Sequence, residues 1–189
     1  MSNLFDFIKK YKIIILATLI SSALMISAVC MFVLSKENRT YKQAEAQIIE
    51  LSQNIAKAYQ AKPNYWGLST AEVINKKLYA QGMRSKGEKL IGYFNQEVEI
   101  GADENGNIVM PASKNFVIAY KDLSKKQCIG LSSQKFNKTF WLRINKFSIK
   151  NEQFSQDFTW GSSEYGLPLQ KQSLRNACVS DKNTIVFTF

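Results

Sequence analysis

The chain has 189 residues, 46% of them hydrophobic, with twelve Phe and eight Tyr, and a formal net charge of +10. It contains no histidine, which removes the commonest general base, every His-based triad and every His-ligated metal site. Pro is scarce, and neither a low-complexity tract nor an internal repeat is visible, so the composition describes a folded chain.

Asp6, Lys9, Lys10 and Lys12 precede an uncharged apolar run from Ile13 to Ser35. At about 1.5 Å per residue the run crosses a hydrocarbon core of roughly 30 Å. The three lysines before it place the N-terminus in the cytoplasm and export the rest of the chain. Lys36 and Arg39 dilute that signal from the far side. The run is longer than the apolar core of a signal peptide, and Ala28-Val29-Cys30 is a poor cleavage site, so a retained anchor is expected. Cleavage or lipidation at Cys30 is the other reading. Ser21, Ser22, Ala23, Ser27 and Ala28 supply small residues that let helices approach closely.

Past the run, Ala44, Ile48, Leu51, Ile55, Ala58 and Tyr59 recur at steps of four, three, four, three and one. That spacing is one apolar helix face. No Gly or Pro stands between Met1 and Lys62, so a single helix from about Ile13 to Gln60 is expected, ended by Lys62-Pro63-Asn64. The expected organisation is a cytoplasmic segment 1–12, a transmembrane helix 13–35, its amphipathic continuation 36–62 and an exported globular domain 63–189.

A short helix is expected in 67–79, with Ser69 as N-cap, Glu72 completing a capping box, and Val73, Leu78 and Tyr79 on one face. The stretch GMRSKGEKLIGYFN (82–95), with three glycines, reads as a loop. Residues 97–110 read as a hairpin turning at Asn105-Gly106. NFVIAY (115–120) suits the centre of a sheet. LSKKQCIGL (123–131) reads as a short helix carrying Cys128, and TFWLRIN (139–145) as an alternating strand with a bulge at Lys146. LPLQKQSLRNAC (167–178) is helical in pattern. The terminal NTIVFTF alternates Ile185, Phe187 and Phe189 with threonines, and a strand ending on the last residue belongs inside a sheet.

Cys128 and Cys178 are an available pair in the exported region. Such a pair outside the cytoplasm is usually a disulfide; two buried thiols is the alternative. The fold class expected is α+β: a long N-terminal helix packed on an antiparallel sheet through Ala44, Ile48, Leu51, Ile55 and Tyr59.

Five features in order carry a family resemblance. They are the apolar run leading into an amphipathic helix, YWGLSTAEVINKKLY (65–79), FVIAYKDLSKKQCIGL (116–131), SLRNAC (173–178) and CVSDKNTIVFTF (178–189). In this order the chain resembles the type IVb pilins. The resemblance implies a pilin-like fold and a disulfide between Cys128 and Cys178. It also implies other pilin subunits and an inner-membrane assembly platform as partners, with the domain periplasmic or at the cell surface. The chain departs from the family at one point. Type IV prepilins have a glycine just before the apolar run and a glutamate five residues into the mature chain; here the first glycine is Gly67 and the first glutamate Glu37. That departure bears on processing and polymerisation, not on the fold.

Three function classes follow. The first is a pilin-like subunit, minor or accessory, of a pilus or a related secretion or conjugation machine. The second is an anchored, unpolymerised binding module, an adhesin or DNA-contacting domain, that uses Phe154, Phe158 and Trp160. The charge leaves nucleic acid open, but no RNA-binding signature or zinc-ligand spacing supports it. The third is an enzyme, for which only Gly161-Ser162-Ser163 and the S-x-x-K string Ser132–Lys135 speak, the latter without the S-D-N and K-T-G motifs that accompany it. No catalytic residue, metal, cofactor or small-molecule substrate is expected.

Overall fold

The structure, a computed structural model, describes residues 2–103, 114–134, 136, 138–162, 166–167 and 169–189. The chain divides into two compact units, Met1–Thr40 and Tyr41–Phe189. Helix α1 (Ser2–Tyr59) supplies all the described residues of the first unit and opens the second. It begins before the apolar run, at Ser2, because Asn3–Lys12 contains no helix breaker. It ends at Tyr59, with Lys62 N–H donating to the Tyr59 carbonyl at 2.9 Å. Pro63 disfavours helical geometry at Lys62, so the chain turns off there.

The second unit is a sheet with α1 on one face. In chain order come α2 (Thr70–Asn75), β1 (Arg84–Lys86), β2 (Lys89–Ile91), β3 (Glu97–Asp103), β4 (Asn115–Leu123), α3 (Lys125–Ser132) and α4 (Lys138–Trp141). Then follow β5 (Lys146–Lys150), β6 (Ser155–Thr159), α5 (Lys171–Ala177) and β7 (Asn183–Thr188). The seven strands lie in the order β1-β2-β3-β4-β7-β5-β6, and every neighbouring pair is antiparallel. The last strand therefore sits inside the sheet. Phe189 exchanges both backbone hydrogen bonds with Phe116, at 2.9 and 3.2 Å, so pairing runs to the final residue.

Alternation sorts the strands between two faces. Phe116, Ile118 and Tyr120 of β4, Ile185 and Phe187 of β7, and Phe147 and Ile149 of β5 join one core cluster. That cluster also holds Tyr41, Ala44, Ile48, Leu51, Ile55 and Tyr59 of α1. Val117, Ala119 and Val186 form a small cluster on the opposite face. A ring chain ties the helix end to the sheet. Tyr59 meets Tyr65 at 5.4 Å, Tyr65 meets Phe116 at 4.7 Å, and Phe116 stacks on Phe189 at 4.8 Å. Each fully buried large aliphatic side chain contributes about 1.5–3 kcal/mol.

Four expectations change. The segment 139–145 is not a strand. Helix α4 and a turn occupy it, and Phe140, Trp141 and Ile144 are buried while Leu142 is exposed. Spacing of one and then three residues fits a helical turn, so the strand starts at Lys146 and no bulge stands there. The sheet's irregularity lies instead between Tyr120 and Leu123, where Asp122 takes φ 53°. The stretch read as a loop contains the β1–β2 hairpin, joined through Gly87 at φ 61°, a conformation that favours glycine in a two-residue turn. The capping box at Ser69 is half formed: the hydroxyl accepts from Glu72 N–H at 3.2 Å, while the Glu72 carboxylate turns to Lys76 at 2.5 Å. A complete box stands at α3, where Ser124 and Gln127 cap each other at 3.3 and 2.9 Å. The expected hairpin turn at Asn105-Gly106 lies outside the described residues. β3 pairs with β4.

Helix α3 approaches α1 closely at one point. A Cβ on Gly130 would stand 2.2 Å from Cζ of Tyr41. Gly130→Ala is expected to cost about 1–3 kcal/mol by overpacking, read as a lowered urea midpoint, with most of the penalty relieved in a Tyr41→Ala background. Ile55→Ala, at a fully buried position, is expected to cost about 2–5 kcal/mol in the same measurement.

Candidate functional site

Two features carry the chemistry available to this chain: an apolar stem and a disulfide-closed region. The stem is the first part of α1. Its described apolar side chains, among them Leu16, Leu19, Leu24, Met25, Ile26 and Phe32, are between 53% and 71% exposed. Its most apolar 18-residue window has a mean hydropathy of 2.1 and is unburied. The serines are satisfied within the helix: Ser21, Ser22 and Ser27 donate to the carbonyls of Thr18, Leu19 and Leu24 at 3.1, 2.9 and 2.9 Å. A helix that ties its serine hydroxyls to its own backbone and exposes mainly apolar surface suits lipid or other helices, not water. This helix fits a single-pass membrane anchor. Cys30 is exposed on it.

The second part of α1 belongs to the other unit and is built differently. Ala44, Ile48, Leu51 and Ile55 are fully buried and Tyr59 nearly so, whereas Ala58 is exposed. The buried stripe also holds Gln47 and Ser52. The Gln47 amide donates to the Gln81 carbonyl at 3.2 Å, and the Ser52 hydroxyl to Ile49 at 2.8 Å. The Ser52 carbonyl accepts from Arg143 at 3.3 Å, and Asn54 donates to Leu78 at 3.1 Å. These polar contacts fix the helix rotation that the apolar stripe alone leaves loose.

Cys128 in α3 and Cys178 at the end of α5 form a disulfide across 50 residues, with Cα atoms 5.8 Å apart. The closed loop contains α4, β5 and β6. Beyond it, Asn183 donates to the Leu123 carbonyl at 3.1 Å, tying the start of β7 to the end of β4. The aromatics of 153–166 divide between two roles. Phe158 is fully buried on Phe147, with ring centres 5.7 Å apart. Phe154 and Trp160 stay 36% and 48% exposed, and the Trp160 indole N–H donates to the Ile144 carbonyl at 2.9 Å. Trp66, which sequence patterning did not single out, and Leu142, which the alternation of TFWLRIN set on one face with Phe140 and Ile144, are more exposed still. No periodicity marks Trp66, which stands beside a turn.

The titratable groups with shifted ionisation among the described residues are not arranged as acid–base machinery. Burial pushes the phenol of Tyr120 far above its ordinary range, and burial also raises Tyr59 and Tyr65, so none of the three is poised to ionise. Burial likewise raises the Glu45 carboxyl against the opposing charge of Lys42. Ser132 is buried, and its hydroxyl finds no hydrogen-bond partner among the described residues. Lys135 lies outside them. Among the described residues no three acid, cysteine or histidine side chains gather to hold a metal.

The family model described as PilS N terminal matches residues 36–189. No curated protein matches the sequence. Among solved structures, the chain is similar to the type IV b pilin from Salmonella typhi, with 15% identity and a TM-score of 0.51 over 81% of this chain and 97% of that one. It is also similar to TcpA, a type IV pilin from Vibrio cholerae El Tor biotype, with 16% identity and a TM-score of 0.50 over 80% of this chain and 99% of that one. At such identities the likeness is one of fold: a long helix on an antiparallel sheet.

Removing the bridge should be costly. Cys128→Ser or Cys178→Ser is expected to lower stability by about 2–5 kcal/mol. Thiol titration of the unfolded protein should find one reactive cysteine, Cys30, before reduction and three after it; the same titre in both states would show that the bridge does not form in the cell.

Proposed function

The chain belongs to the PilS N-terminal family and is a type IV pilin-like structural protein, not an enzyme; on that premise we propose that it is a minor or accessory subunit of a type IVb pilus or a related secretion or conjugation machine, acting in assembly or adhesion. The observation that carries this reading is α1 itself. One uninterrupted helix joins a stem whose apolar side chains are exposed to a stretch whose apolar stripe is buried on a sheet. A soluble binding domain has no use for the first half, and a plain anchor has no use for helical continuity into the second. Other pilin subunits and an inner-membrane platform are the partners this arrangement suits. Lys9, Lys10 and Lys12 support a cytoplasmic N-terminus and a periplasmic domain in the inner membrane.

A second reading rests on the stem's composition and on the exposed rings of Phe154 and Trp160. Without the glycine and glutamate of a usual prepilin, the chain would remain in the membrane and present its domain as an adhesin or other binding module. Fractionation separates the two. Recovery of the full-length chain with other pilins in sheared filaments, or in a detergent-solubilised complex with the platform, is the expected result. Confinement to membranes, with no pilin or platform protein co-purifying, would sink the subunit reading in favour of the second. An N-terminus beginning near Cys30, read by intact mass, would sink the stem reading in both.

A further inference from the structure

Between α1 and the segment 81–93 the globular unit carries an open cleft of about 410 Å³, within the range of small-molecule sites, about 300–1,000 Å³. Gln43, Gln47 and Glu50 stand at i, i+4 and i+7 on α1, so one helix face lines it. Two of them grip the other wall. The Glu50 carboxylate accepts from the Gln81 N–H at 3.1 Å, and the Gln47 amide donates to the Gln81 carbonyl at 3.2 Å. Gly82 follows at φ 80° and adds no side chain; a Cβ there would stand 3.2 Å from the Gln47 amide nitrogen. Tyr93 completes the lining from a turn in which the Asn95 N–H donates to the Gly92 carbonyl at 3.0 Å. The Tyr93 hydroxyl donates to Gln43, and its ring meets Phe94 edge-on at 6.0 Å. The side chain is held at two points, yet the residue stays 40% exposed.

This lining is short of donors. Gln47 is 4% exposed, and its Oε1 finds no hydrogen-bond partner among the described residues, a costly state for a buried acceptor. The Glu50 carboxylate is an acceptor only and takes more than one donor. The Gln43 amide nitrogen stands beside them as a donor. Planar polar groups next to an exposed tyrosine ring suit a ligand that is itself a ring of hydroxyls: its C–H face packs on the aromatic, and its O–H groups donate to the carboxylate and amide oxygens. Charge narrows the ligand further. Glu50 is the one charged side chain among the described residues lining the cleft, which disfavours an anion. The chain carries a net charge of +10, which disfavours a cation. A neutral polyol meets neither penalty.

We propose that this cleft binds a neutral sugar, with the sugar ring against Tyr93 and its hydroxyls on Gln43, Gln47 and Glu50. The site lies wholly within the unit Tyr41–Phe189. It goes beyond the reading of the chain as a pilus subunit, because it operates whether or not the chain is assembled.

The full-length chain is purified in a zwitterionic detergent, since a glycoside detergent would compete for the cleft. Saturation-transfer difference NMR then follows glucose, galactose and N-acetylglucosamine as neutral probes, with protonated glucosamine and glucuronate as charged counterparts. At least one neutral sugar should bind, about tenfold more tightly than either charged sugar. Ala46→Phe fills the cleft from an exposed position on α1, and Tyr93→Ala removes the ring. Each should weaken binding about tenfold, and the unfolding midpoint of Ala46→Phe should match that of the parent chain. Binding of no neutral sugar, equal or tighter binding of glucosamine, or a signal undiminished in the folded Ala46→Phe chain would overturn the proposal. All three results leave the subunit reading intact, because that reading is decided by what co-purifies with the chain.

Discussion

Everything in the globular unit depends on one helical stripe being covered by one sheet face. Ala44, Ile48, Leu51, Ile55 and Tyr59 are buried in the same cluster as the inward side chains of β4, β5 and β7. A seven-stranded antiparallel sheet with one face uncovered would leave Phe116, Ile118, Tyr120, Phe147 and Phe187 in water, at a cost of about 1.5–3 kcal/mol each. The helix alone would be no better, because an isolated stripe has nothing to pack on. Neither layer has an independent stable form, and the polar contacts of Gln47, Asn54 and Arg143 determine which rotation of the helix the sheet accepts.

The second constraint is how the C-terminus is held. β7 enters between β4 and β5, so the backbone ladders of the sheet's two halves are joined through the last residues of the chain. Until that strand pairs, β5 and β6 share no backbone ladder with β3 and β4 among the described residues. The disulfide shortens this search, since it ties α3, which follows β4, to α5, which precedes β7. Asn183 then sets register by donating to Leu123 across the irregularity at Asp122. A long-range contact order of this kind slows folding, and a covalent tie adjacent to the inserting strand reduces the loop-closure entropy that must be overcome.

How much of this the sequence displays depends on whether a pattern has enough length to be read. The three-four spacing of α1 from Ala44 to Tyr59 runs over about four turns, NTIVFTF alternates to the end of the chain, and NFVIAY is an apolar run of strand length, and all three are plain. TFWLRIN shows the limit. Its alternation of Phe140, Leu142 and Ile144 is real as a string, but three alternating residues also contain a helical turn, and burying Trp141 beside Phe140 against Phe136 and Phe187 decides between them. β1 and β2 escape notice for a different reason. The edge strand β1 is exposed throughout and β2 buries only Leu90 fully, so neither shows an apolar pattern, and charged residues such as Arg84 and Lys86 are those that blunt an edge. The Lys86-Gly87-Glu88-Lys89 turn was their one visible signal. The two cysteines were legible as a pair, but their reach depended on the positions of α3 and α5, which spacing does not give. Trp66 carries no signal, since exposure beside a turn leaves no periodic trace, whereas the alternation of TFWLRIN groups Leu142 with two buried residues and so misplaces it.

The stem poses the remaining physical problem. A helix with no charge from Ile13 to Ser35 has no charged group within that run that could pair with a neighbouring helix or report its own register along the membrane normal. The hydroxyls of Ser21, Ser22 and Ser27 already donate to its own backbone, so these three offer little selection between helices. What remains is shape: Ser21, Ser22, Ala23, Ser27 and Ala28 at small-residue spacing, flanked by Leu and Ile. Packing by shape alone is tolerant of axial slip. The lysines at either end then become the groups that fix depth, because moving any of them into hydrocarbon costs more than a slipped van der Waals contact. A subunit built this way is positioned by its flanks and recognised by its domain, which places the burden of specific assembly on the exposed surface of the globular unit and not on the helix.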